Sequence, residues 1–310
     1  MGHRRFELIT LGTGAALPAR GRHPSAQLLI VHEEPYLIDC GEGTQERLRS
    51  IGANFMRIGH VFISHLHGDH YLGLMGLISS MHLMGRSARL HVHGPAELRG
   101  IIDVQLRASQ TYLRYPLEFH AIEPLSGAVA WQDARVKVSL LALRHRIPCT
   151  GFVFEETPAL RSLRPEALRS VPTFMRARVK AGEDLQLPDG TVLPNSALTH
   201  APPPPRRYAY CSDTAFAPEL LPFIHGVDLL YHEATFTSQM ARRARETMHS
   251  TAAEAARMAL DAGAGRLLLG HFSSRYKSAA ELLAEALPIF PNTELSEEGR
   301  GYPVIERSAV

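Results

Sequence analysis

The sequence predicts an α/β protein, because strand-like and helix-like segments alternate along most of the chain. Apolar runs of about four to eight residues, bounded by glycine, proline or polar residues, are typical of buried strands. Segment 250–262 has the features of a helix: Thr251 and Glu254 are spaced as in a capping box, and Gly263 can end it. A hydrophobic content of 45% in 310 residues is ample for a buried core.

The predicted elements follow in chain order. Strands are expected at 7–11, 27–31, 36–38, 61–63, 89–92, 136–143, 208–211 and 266–269. Helices are expected at 44–51, 71–84, 95–108, 250–262 and 279–286. Gly12 and Gly14 end the first strand, and Pro35 separates the second strand from the third, since proline interrupts a strand ladder.

Composition narrows the class of protein. No apolar run approaches the ~20 residues needed to span a bilayer, and the N-terminus lacks the apolar region of a signal peptide. Cys40, Cys149 and Cys211 are far apart and odd in number, so reduced thiols and a cytoplasmic location are expected. A net charge of +2 is too small to indicate nucleic-acid binding by itself.

Four side chains that can bind metals lie within six residues, directly after a strand-like run: His65, His67, Asp69 and His70. Gly68 permits a tight bend, so the first two histidines and the Asp69–His70 pair can face different directions. Imidazole and carboxylate are good ligands for zinc and similar ions. The pattern therefore favours two adjacent metal ions over its alternative, a solvated polar loop.

Three further potential ligands each follow a predicted strand: His145, Asp213 and His271. Because the ends of several strands meet at one edge of a sheet, these side chains are expected to converge. A carboxylate such as Asp213 can bridge two cations about 3.5–4 Å apart, the spacing of two-metal hydrolases. Taken singly, a histidine at a strand end is more often a surface or capped residue.

Most of the 17 histidines are not expected to bind metal. Four of them, His91, His93, His120 and His200, are predicted to lie on the surface or to pair with backbone groups.

Several motifs together resemble a known family. They are Leu-Gly-Thr-Gly at 11–14, Leu-Ile-Asp-Cys-Gly-Glu-Gly-Thr-Gln at 37–45, the cluster at 65–70, Tyr-Cys-Ser-Asp-Thr at 210–214, His-Glu-Ala-Thr-Phe at 232–236, His-Ser-Thr at 249–251 and Gly-His-Phe-Ser at 270–273. With these motifs the chain resembles the metallo-β-lactamase superfamily and, within it, the tRNA 3′-processing endonucleases of the ribonuclease Z family. The motifs at 232–236 and 249–251 favour that family over glyoxalases, lactamases or sulfatases.

The resemblance implies a metallo-β-lactamase αββα sandwich, with two mixed sheets flanked by helices. It places a single domain over 1–310, with an inserted, protruding exosite arm over 155–205. It also implies two divalent metal ions, with zinc expected and manganese, iron or cobalt also compatible.

The resemblance further implies which residues hold each ion. One ion is assigned to His65, His67, His145 and Asp213, and the other to Asp69, His70, Asp213 and His271. Asp69 would also contact the hydroxide that bridges the two ions and serve as general base. Asp39 is expected to support a metal-bound histidine through its second ring nitrogen.

A catalytic pair is also implied by the resemblance. His249 is expected to bind the phosphate and to donate a proton to the leaving ribose 3′ oxygen, and Glu233 would orient it and raise its pKa. From the residues alone, Glu233 is equally compatible with a buried ion pair or a carboxylate at a helix start. His249 is equally compatible with an N-terminal cap of the 250–262 helix.

Segment 155–205 differs from the rest, because its hydrophobic periodicity fades and it ends in four consecutive prolines. Its cations between 160 and 180 are Arg161, Arg164, Arg169, Arg176, Arg178 and Lys180, against Glu166 alone. One interpretation is a solvated insertion, and the other is a basic arm with salt-sensitive affinity for a phosphate backbone. Ribonuclease Z has an arm here that grips the tRNA elbow, although the Gly-Pro element usual at its tip is absent from this segment.

Three further arginines are predicted to contact RNA. Arg20 and Arg22 lie in a loop that resembles one lining the family's cleft near the acceptor stem, and Arg275 follows the last predicted ligand. The alternatives are an exposed basic turn for the first two and a structural role for Arg275.

The function implied is a metal-dependent endoribonuclease that cuts precursor tRNA just 3′ to the discriminator nucleotide. The products would be a tRNA with a 3′ hydroxyl and a trailer with a 5′ phosphate, and the enzyme would be a homodimer. One alternative is a dinuclear metal hydrolase of small substrates, such as phosphodiesters, cyclic nucleotides, aryl sulfates or thioesters. The other is a catalytically inactive RNA-binding relative, which is disfavoured because all seven implied ligands are present.

Overall fold

The structure is a computed structural model that describes residues 4–306. The chain divides into two compact units. The larger comprises the residues up to 155 and from 206 onward, and the smaller comprises 156–205. No helix in the described part of the chain is both long enough and apolar enough to cross a membrane.

Within residues 4–306 the strands and α-helices have the following bounds. The strands are β1 (Phe6–Gly12), β2 (Ala26–Val31), β3 (Glu34–Cys40), β4 (His60–Phe62), β5 (Leu90–Gly94), β6 (Leu117–Ala121), β7 (Val129–Gln132), β8 (Val136–Leu143), β9 (Cys149–Glu156), β10 (Ser162–Leu163), β11 (Leu185–Gln186), β12 (Val192–Leu193), β13 (Thr199–His200), β14 (Arg207–Cys211), β15 (Leu229–Glu233), β16 (Leu267–Gly270), β17 (Thr293–Leu295) and β18 (Gly301–Pro303). The helices are α1 (Thr44–Ser50), α2 (Gly68–Tyr71), α3 (Leu74–Leu83), α4 (Glu97–Ala108), α5 (Arg176–Lys180), α6 (Asn195–Leu198), α7 (Leu221–Ile224), α8 (Ala241–Thr247), α9 (Ala252–Asp261) and α10 (Ala280–Ala286).

The larger unit is a four-layer sandwich, and the predicted αββα architecture is confirmed. One mixed sheet has the strand order β18-β1-β2-β3-β4-β5-β6, and the other has the order β17-β16-β15-β14-β9-β8-β7. Aromatic side chains such as Phe62, Phe152 and Tyr208 fill the layer between the sheets. Helices α1, α3 and α4 cover the outer face of the first sheet, and α9 and α10 cover that of the second.

The predicted strands and helices are all present, with small differences at their ends. One difference is larger: the helix expected over 71–84 is divided at Leu72 and Gly73 into α2 and α3. The Gly73 N–H donates to the carbonyl of Cys40, 2.9 Å away, and a Cβ on Gly73 would lie 2.1 Å from the carbonyl oxygen of Gly41. The close approach of this backbone to β3 therefore divides the helix.

Strand direction brings the predicted site together. Strands β3 and β4 run parallel, as do β14, β15 and β16, and β8 is separated from β14 by a single antiparallel strand, β9. Within each sheet, all these strands except β9 therefore end at one edge. Polar residues that follow β4 in one sheet contact those that follow β8, β14 and β16 in the other, so these two edges adjoin.

The smaller unit has a core of its own. Val171, Val179, Leu185 and Leu198 are buried together. The pairs β10–β13 and β11–β12 are antiparallel. Asn195 ties the unit together, because its side-chain amide donates to two backbone carbonyls. Segment 156–205 is therefore a folded unit rather than a solvated linker.

The capping box predicted at Thr251 is present. Its hydroxyl accepts from the Glu254 N–H, and the Glu254 carboxylate accepts from the Thr251 N–H. The substitution Thr251→Ala is expected to lower the free energy of unfolding by about 0.5–2 kcal/mol. Urea denaturation followed by circular dichroism would measure this change, with the exposed Ser87→Ala as control. Equal stability of the two variants would contradict a stabilising role for the cap.

Candidate dinuclear metal site

The first group of potential ligands comprises His65, His67, His145 and Asp213. His67 Nδ1 lies 3.1 Å from Nε2 of His65 and 3.1 Å from Nε2 of His145. Asp213 Oδ2 lies 3.6 Å from His65 Nε2 and 3.7 Å from His145 Nε2. Ligands around one tetrahedral zinc ion are separated by about 3.3 Å, given bonds of about 2.0 Å. The four side chains therefore surround a space that fits one ion.

The second group comprises Asp69, His70 and His271. Asp69 Oδ2 lies 3.6 Å from Nε2 of His70 and 3.4 Å from Nε2 of His271. The other oxygen of Asp213, Oδ1, lies 3.3 Å from His70 Nε2 and 3.2 Å from His271 Nε2. Asp213 thus faces the first group with Oδ2 and the second with Oδ1. This is the arrangement of a carboxylate that bridges two cations.

Two buried atoms show that the groups fit metal ions. His70 Nε2 and Asp213 Oδ1 have no hydrogen-bond partner among the described residues, although both are buried. Buried polar atoms of this kind are rare, and a bound ion readily accounts for them. Several lone pairs converging without a donor repel one another unless a cation lies between them. The His/Asp groups therefore form a candidate dinuclear metal site.

The backs of the histidine rings are held by the protein. The Nδ1 contacts are 2.9 Å from His65 to Ser64 Oγ, 2.7 Å from His70 to Asp39 Oδ2, 3.0 Å from His145 to the Met248 carbonyl and 2.9 Å from His271 to Thr235 Oγ1. A histidine that donates through Nδ1 keeps the Nε2 lone pair for a metal. These acceptors therefore fix both the tautomer and the direction of each ring.

Asp39 is the most connected of these acceptors. It is fully buried and accepts from the Ser64 N–H at 2.8 Å, from Tyr210 Oη at 2.6 Å and from His70 Nδ1. Its backbone is left-handed, with a φ of 54°. The carboxylate therefore has the place expected from the sequence for a group supporting a metal ligand.

The substitution Asp39→Asn is expected to weaken metal binding by about 10–100-fold, because the His70 ring loses a charged acceptor. Asparagine tolerates left-handed backbone, so the fold should survive. Competition with a chromogenic chelator would measure the affinity. Unchanged affinity would exclude a supporting role for Asp39. The exposed Asp261→Asn is the matched control.

Three site residues have left-handed backbone: Asp39, Met248 with φ 56° and His271 with φ 57°. Such conformations cost on the order of 1–3 kcal/mol each and persist only where packing enforces them. Gly270 contributes to this packing, because a Cβ there would lie 2.2 Å from Tyr231 Oη. Glycine at the end of β16 is therefore a steric requirement of the loop that presents His271.

Glu233 and His249 form a pair beside the metal site. Glu233 is fully buried at the end of β15, and its Oε1 lies 2.7 Å from His249 Nδ1. The Thr214 N–H and the Thr235 hydroxyl hold this carboxylate in place, at 2.8 Å and 2.6 Å. His249 Nε2 points toward Asp213, with 4.0 Å to its Oδ2.

Shifted pKa values indicate the protonation states of three histidines of the first group and of the Glu233–His249 pair. Burial lowers the pKa of His65, His67 and His145, which keeps these imidazoles neutral and their lone pairs available. Burial would also lower the pKa of His249, but the Glu233 carboxylate outweighs it and raises this pKa to about 9. Burial would raise the pKa of Glu233, and His249 instead lowers it. The Glu233–His249 pair is therefore a carboxylate with an imidazolium.

The three arginines of the larger unit that are predicted to contact RNA have different environments. Arg20 is exposed, and its Nε donates to the Ser274 carbonyl at 2.6 Å. Arg22 is half-buried, with its guanidinium over the Phe272 ring at 5.1 Å. Arg275 is exposed and lies 5.9 Å from the ring centroid of Phe236. All three belong to loops that flank the His271 segment.

The six cations of the smaller unit that are predicted to bind RNA separate into two sets. Arg161, Arg164 and Arg176 donate to groups of the same unit, namely Thr199, the Ser196 carbonyl and the carbonyls of Leu168 and Val171. Arg169, Arg178 and Lys180 are exposed, and Arg178 pairs with Glu183. The exposed set is the one that faces solvent and can meet a phosphate.

Most of the groups that hold the site side chains in place were not predicted from the sequence. Ser64 and Thr235 both lie inside or beside motifs that carry the family resemblance. The sequence therefore indicated that these residues are near the site, but it did not predict their hydrogen bonds to the histidines. The carbonyl of Met248 and the N–H of Ala16, which donates to Asp69 Oδ2 at 2.7 Å, are backbone groups. No residue type can reveal such groups, because the backbone carries them throughout the chain.

The αββα sandwich with His/Asp groups at its strand ends defines a metallo-β-lactamase-fold protein with a dinuclear metal site. A family model described as a β-lactamase superfamily domain matches residues 173–272, and one described as anti-Pycsar protein Apyc1 matches residues 6–162. The crystal structure of human tRNase Z, short form, superimposes with a TM-score of 0.72 and 26% identity, covering 96% of this chain and 99% of that one.

Sequence relatives agree with the structural match. Ribonuclease Z of Bacteroides fragilis is 45% identical over 296 residues, which cover 95% of this chain and 97% of that protein. Ribonuclease Z of Porphyromonas gingivalis is 46% identical over 295 residues, which cover 94% of this chain and 97% of that protein. The chain belongs to the ribonuclease Z family.

Proposed function

We propose that this protein is a metal-dependent endoribonuclease that cleaves precursor tRNA 3′ to the discriminator nucleotide. The products are a tRNA with a 3′ hydroxyl and a trailer with a 5′ phosphate. The observation that carries this proposal is the Glu233–His249 pair, held 4.0 Å from the Asp213 carboxylate shared by both ligand groups. Membership of the ribonuclease Z family and the likeness to human tRNase Z supply the substrate class.

Two divalent ions, for which zinc suits the His/Asp donor set, would occupy the two groups. When bound, such ions lower the pKa of a water molecule and neutralise the non-bridging oxygens of a phosphodiester. His65, His67, His145 and Asp213 would hold one ion. Asp69, His70, Asp213 and His271 would hold the other.

Asp69 has the properties of a general base for the attacking water. Burial would raise the pKa of Asp69, but the neighbouring His70 and His271 outweigh burial and lower this pKa. The Asp69 carboxylate is therefore ionised. The Ala16 N–H fixes Oδ2 of this carboxylate at 2.7 Å. A carboxylate oxygen oriented in this way can accept the proton of the nucleophile as the new P–O bond forms.

His249 has the properties of the proton donor. A ribose 3′ alkoxide is a poor leaving group, so a proton must reach it as the P–O bond breaks. Glu233 occupies Nδ1 of His249 and stabilises the imidazolium, which leaves the Nε2 proton directed toward the metal site. With 12% of its side chain exposed, His249 is accessible to a substrate.

Cleavage of an end-labelled precursor tRNA that carries a 3′ trailer would test the proposal. Bis(p-nitrophenyl) phosphate is run in parallel, and each assay is repeated with a chelator. A single chelator-sensitive cut at the discriminator is the expected result. Turnover of the small diester alone would replace the tRNA assignment by that of a small-substrate metal hydrolase. Activity on neither substrate with metal bound would overturn both and direct attention to sulfate esters and thioesters.

We further propose that unit 156–205 is the RNA-binding arm. This proposal is supported by three exposed cations, Arg169, Arg178 and Lys180, which lie in a unit with its own core. The double substitution Arg169→Ala/Lys180→Ala is expected to raise KM for precursor tRNA and to leave hydrolysis of the small diester unchanged. The slope of log K against log salt should fall by about 1 for each phosphate that the variant no longer neutralises.

A titration of KM against salt would measure this effect. The control is Arg257→Ala, which removes an arginine paired with Asp261 on α9 in the larger unit. An unchanged salt slope in the double variant would exclude these two cations as phosphate contacts. An equal change in the control would assign the effect to net charge.

We also propose that the enzyme is a cytoplasmic homodimer. Dimerisation follows from the family resemblance, and sedimentation equilibrium would test it. The cytoplasmic assignment is supported by Cys40, Cys149 and Cys211, which are all free and buried. Burial raises the pKa of each of these thiols, so they are unreactive, as expected for structural cysteines in a reducing compartment.

A further inference from the structure

A second group of histidines lies on one face of β4, β5 and β6. In register, His60 pairs with His91 and His91 with Glu118, while His93 pairs with His120. Alternate residues of a strand point to the same face, so these side chains form two adjacent rows. The prediction that His93 lies on the surface or pairs with the backbone is wrong, because its side chain is fully buried between other rings.

Three of these side chains converge on one point at the sheet edge. His91 Nδ1 lies 2.9 Å from His120 Nε2 and 3.4 Å from Glu118 Oε2. All three are partly exposed, and their ligand atoms lie within 4.8 Å of one another. Arg89 pairs with the other carboxylate oxygen, Oε1, which leaves Oε2 to face His91.

We propose that His91, Glu118 and His120 form a separate site for a divalent transition-metal ion of the zinc, copper or nickel type. Two imidazoles and a carboxylate are a donor set typical of such ions. Tetrahedral ligands are about 3.3 Å apart, and the two contacts of His91 Nδ1, at 2.9 Å and 3.4 Å, are close to that spacing. A fourth position remains open to solvent, because all three side chains are partly exposed.

The surrounding rings support a metal site. His60 stacks on His91 with ring centroids 4.5 Å apart, and His93 stacks on His120 at 4.5 Å. This stacking holds the His91 and His120 rings in place beside Glu118.

Hydrogen bonds do not satisfy every ring nitrogen in the stack formed by His60, His91, His93 and His120. His93 Nε2 lies 3.2 Å from His60 Nδ1, but His93 Nδ1 is buried and has no hydrogen-bond partner among the described residues. Buried imidazole nitrogens without a partner are uncommon. The stack is therefore incompletely satisfied by the protein. It shares no residue with the two catalytic ligand groups, so the proposal does not depend on the proposed function.

The chain offers a local probe for this site. Trp131 is its single tryptophan, and its ring centroid lies 4.3 Å from that of His60 and 5.0 Å from that of His91. Paramagnetic Cu²⁺ bound beside the indole is expected to quench its fluorescence. Titration of the metal-free protein with Cu²⁺ should therefore give a saturable quench. Zn²⁺, which does not quench, should compete with it.

The variants are His91→Gln and His120→Gln, which keep a hydrogen-bonding side chain in place. Each is expected to weaken the Cu²⁺-dependent quench by at least about 100-fold in Kd, since removal of a supporting group alone costs about 10–100-fold. Mass-spectrometric metal analysis after zinc loading should find one ion fewer in each variant than in the parent protein. His225→Ala, which removes an exposed histidine elsewhere in the larger unit, is the matched control.

Two results would overturn the proposal. One is a quench that persists equally in both variants while circular dichroism shows them folded. The other is an equal zinc content in variants and parent protein. In either case the histidines would be a hydrogen-bonded stack without a metal. Chelator-sensitive RNA cleavage is expected to be the same in all three variants, which separates this test from that of the proposed function.

Discussion

Replacing Asp213 by asparagine is expected to abolish RNA cleavage and to weaken metal binding in both ligand groups. Asp213 is the only described side chain that faces both groups, with Oδ2 3.6 Å from His65 and Oδ1 3.2 Å from His271. An amide offers one neutral oxygen where the carboxylate offers two charged ones, so it cannot bridge two cations equally. The fall in kcat should be at least about 10³-fold, because removal of one transition-state donor alone costs on the order of 10²–10³.

Two measurements check this expectation. Mass-spectrometric metal analysis should find fewer than two catalytic ions per chain, and cleavage of precursor tRNA should be abolished. The control is Asp261→Asn, which replaces an exposed carboxylate on α9. This variant should match the parent protein in metal content and in cleavage. Full activity or full metal content in Asp213→Asn would contradict the bridging assignment.

The substitution His249→Ala is expected to lower kcat for precursor tRNA by about 10²–10⁴-fold, the usual contribution of a positioned acid. Hydrolysis of bis(p-nitrophenyl) phosphate should fall far less, because p-nitrophenolate leaves without being protonated. Metal content should stay at the parent level, since His249 Nε2 is 4.0 Å from Asp213 and no ligand role is proposed for it. This contrast between substrates is specific to a proton donor.

The Glu233→Gln variant tests the other half of the pair. It removes the charge that raises the pKa of His249 to about 9, so the imidazole becomes a poorer donor above neutral pH. The double variant Glu233→Gln/His249→Ala should be no less active than His249→Ala alone, because the two residues act as a unit. Additive effects would show that Glu233 acts through another contact, such as Thr235. The exposed Glu246→Gln is the control.

The candidate site was largely predictable from sequence because its residues are close together in the chain or end a strand. The cluster at 65–70 follows β4 directly, and Asp213 and His271 follow β14 and β16. Histidine and aspartate in this pattern are typical of a metal site. The helix boundaries at Thr251 and Ala262 were also predictable, because capping and glycine signals are local.

Other features were beyond local pattern. The division of helix 71–84 at Gly73 depends on a carbonyl of β3, more than 30 residues earlier in the chain. The core of unit 156–205 is formed by apolar residues without regular spacing, so the sequence shows no hydrophobic periodicity there. In both places a contact distant in sequence overrides the local propensity.

The α/β class, the positions of most elements and the set of potential metal ligands could all be predicted from residue type and spacing. The folded chain was needed to show how Asp213 is shared between two groups and which acceptor holds each histidine ring. It also showed that His91, Glu118 and His120 meet at a sheet edge. Residue type and spacing are local properties, whereas a metal site depends on distances between strands whose register is fixed by the packed core.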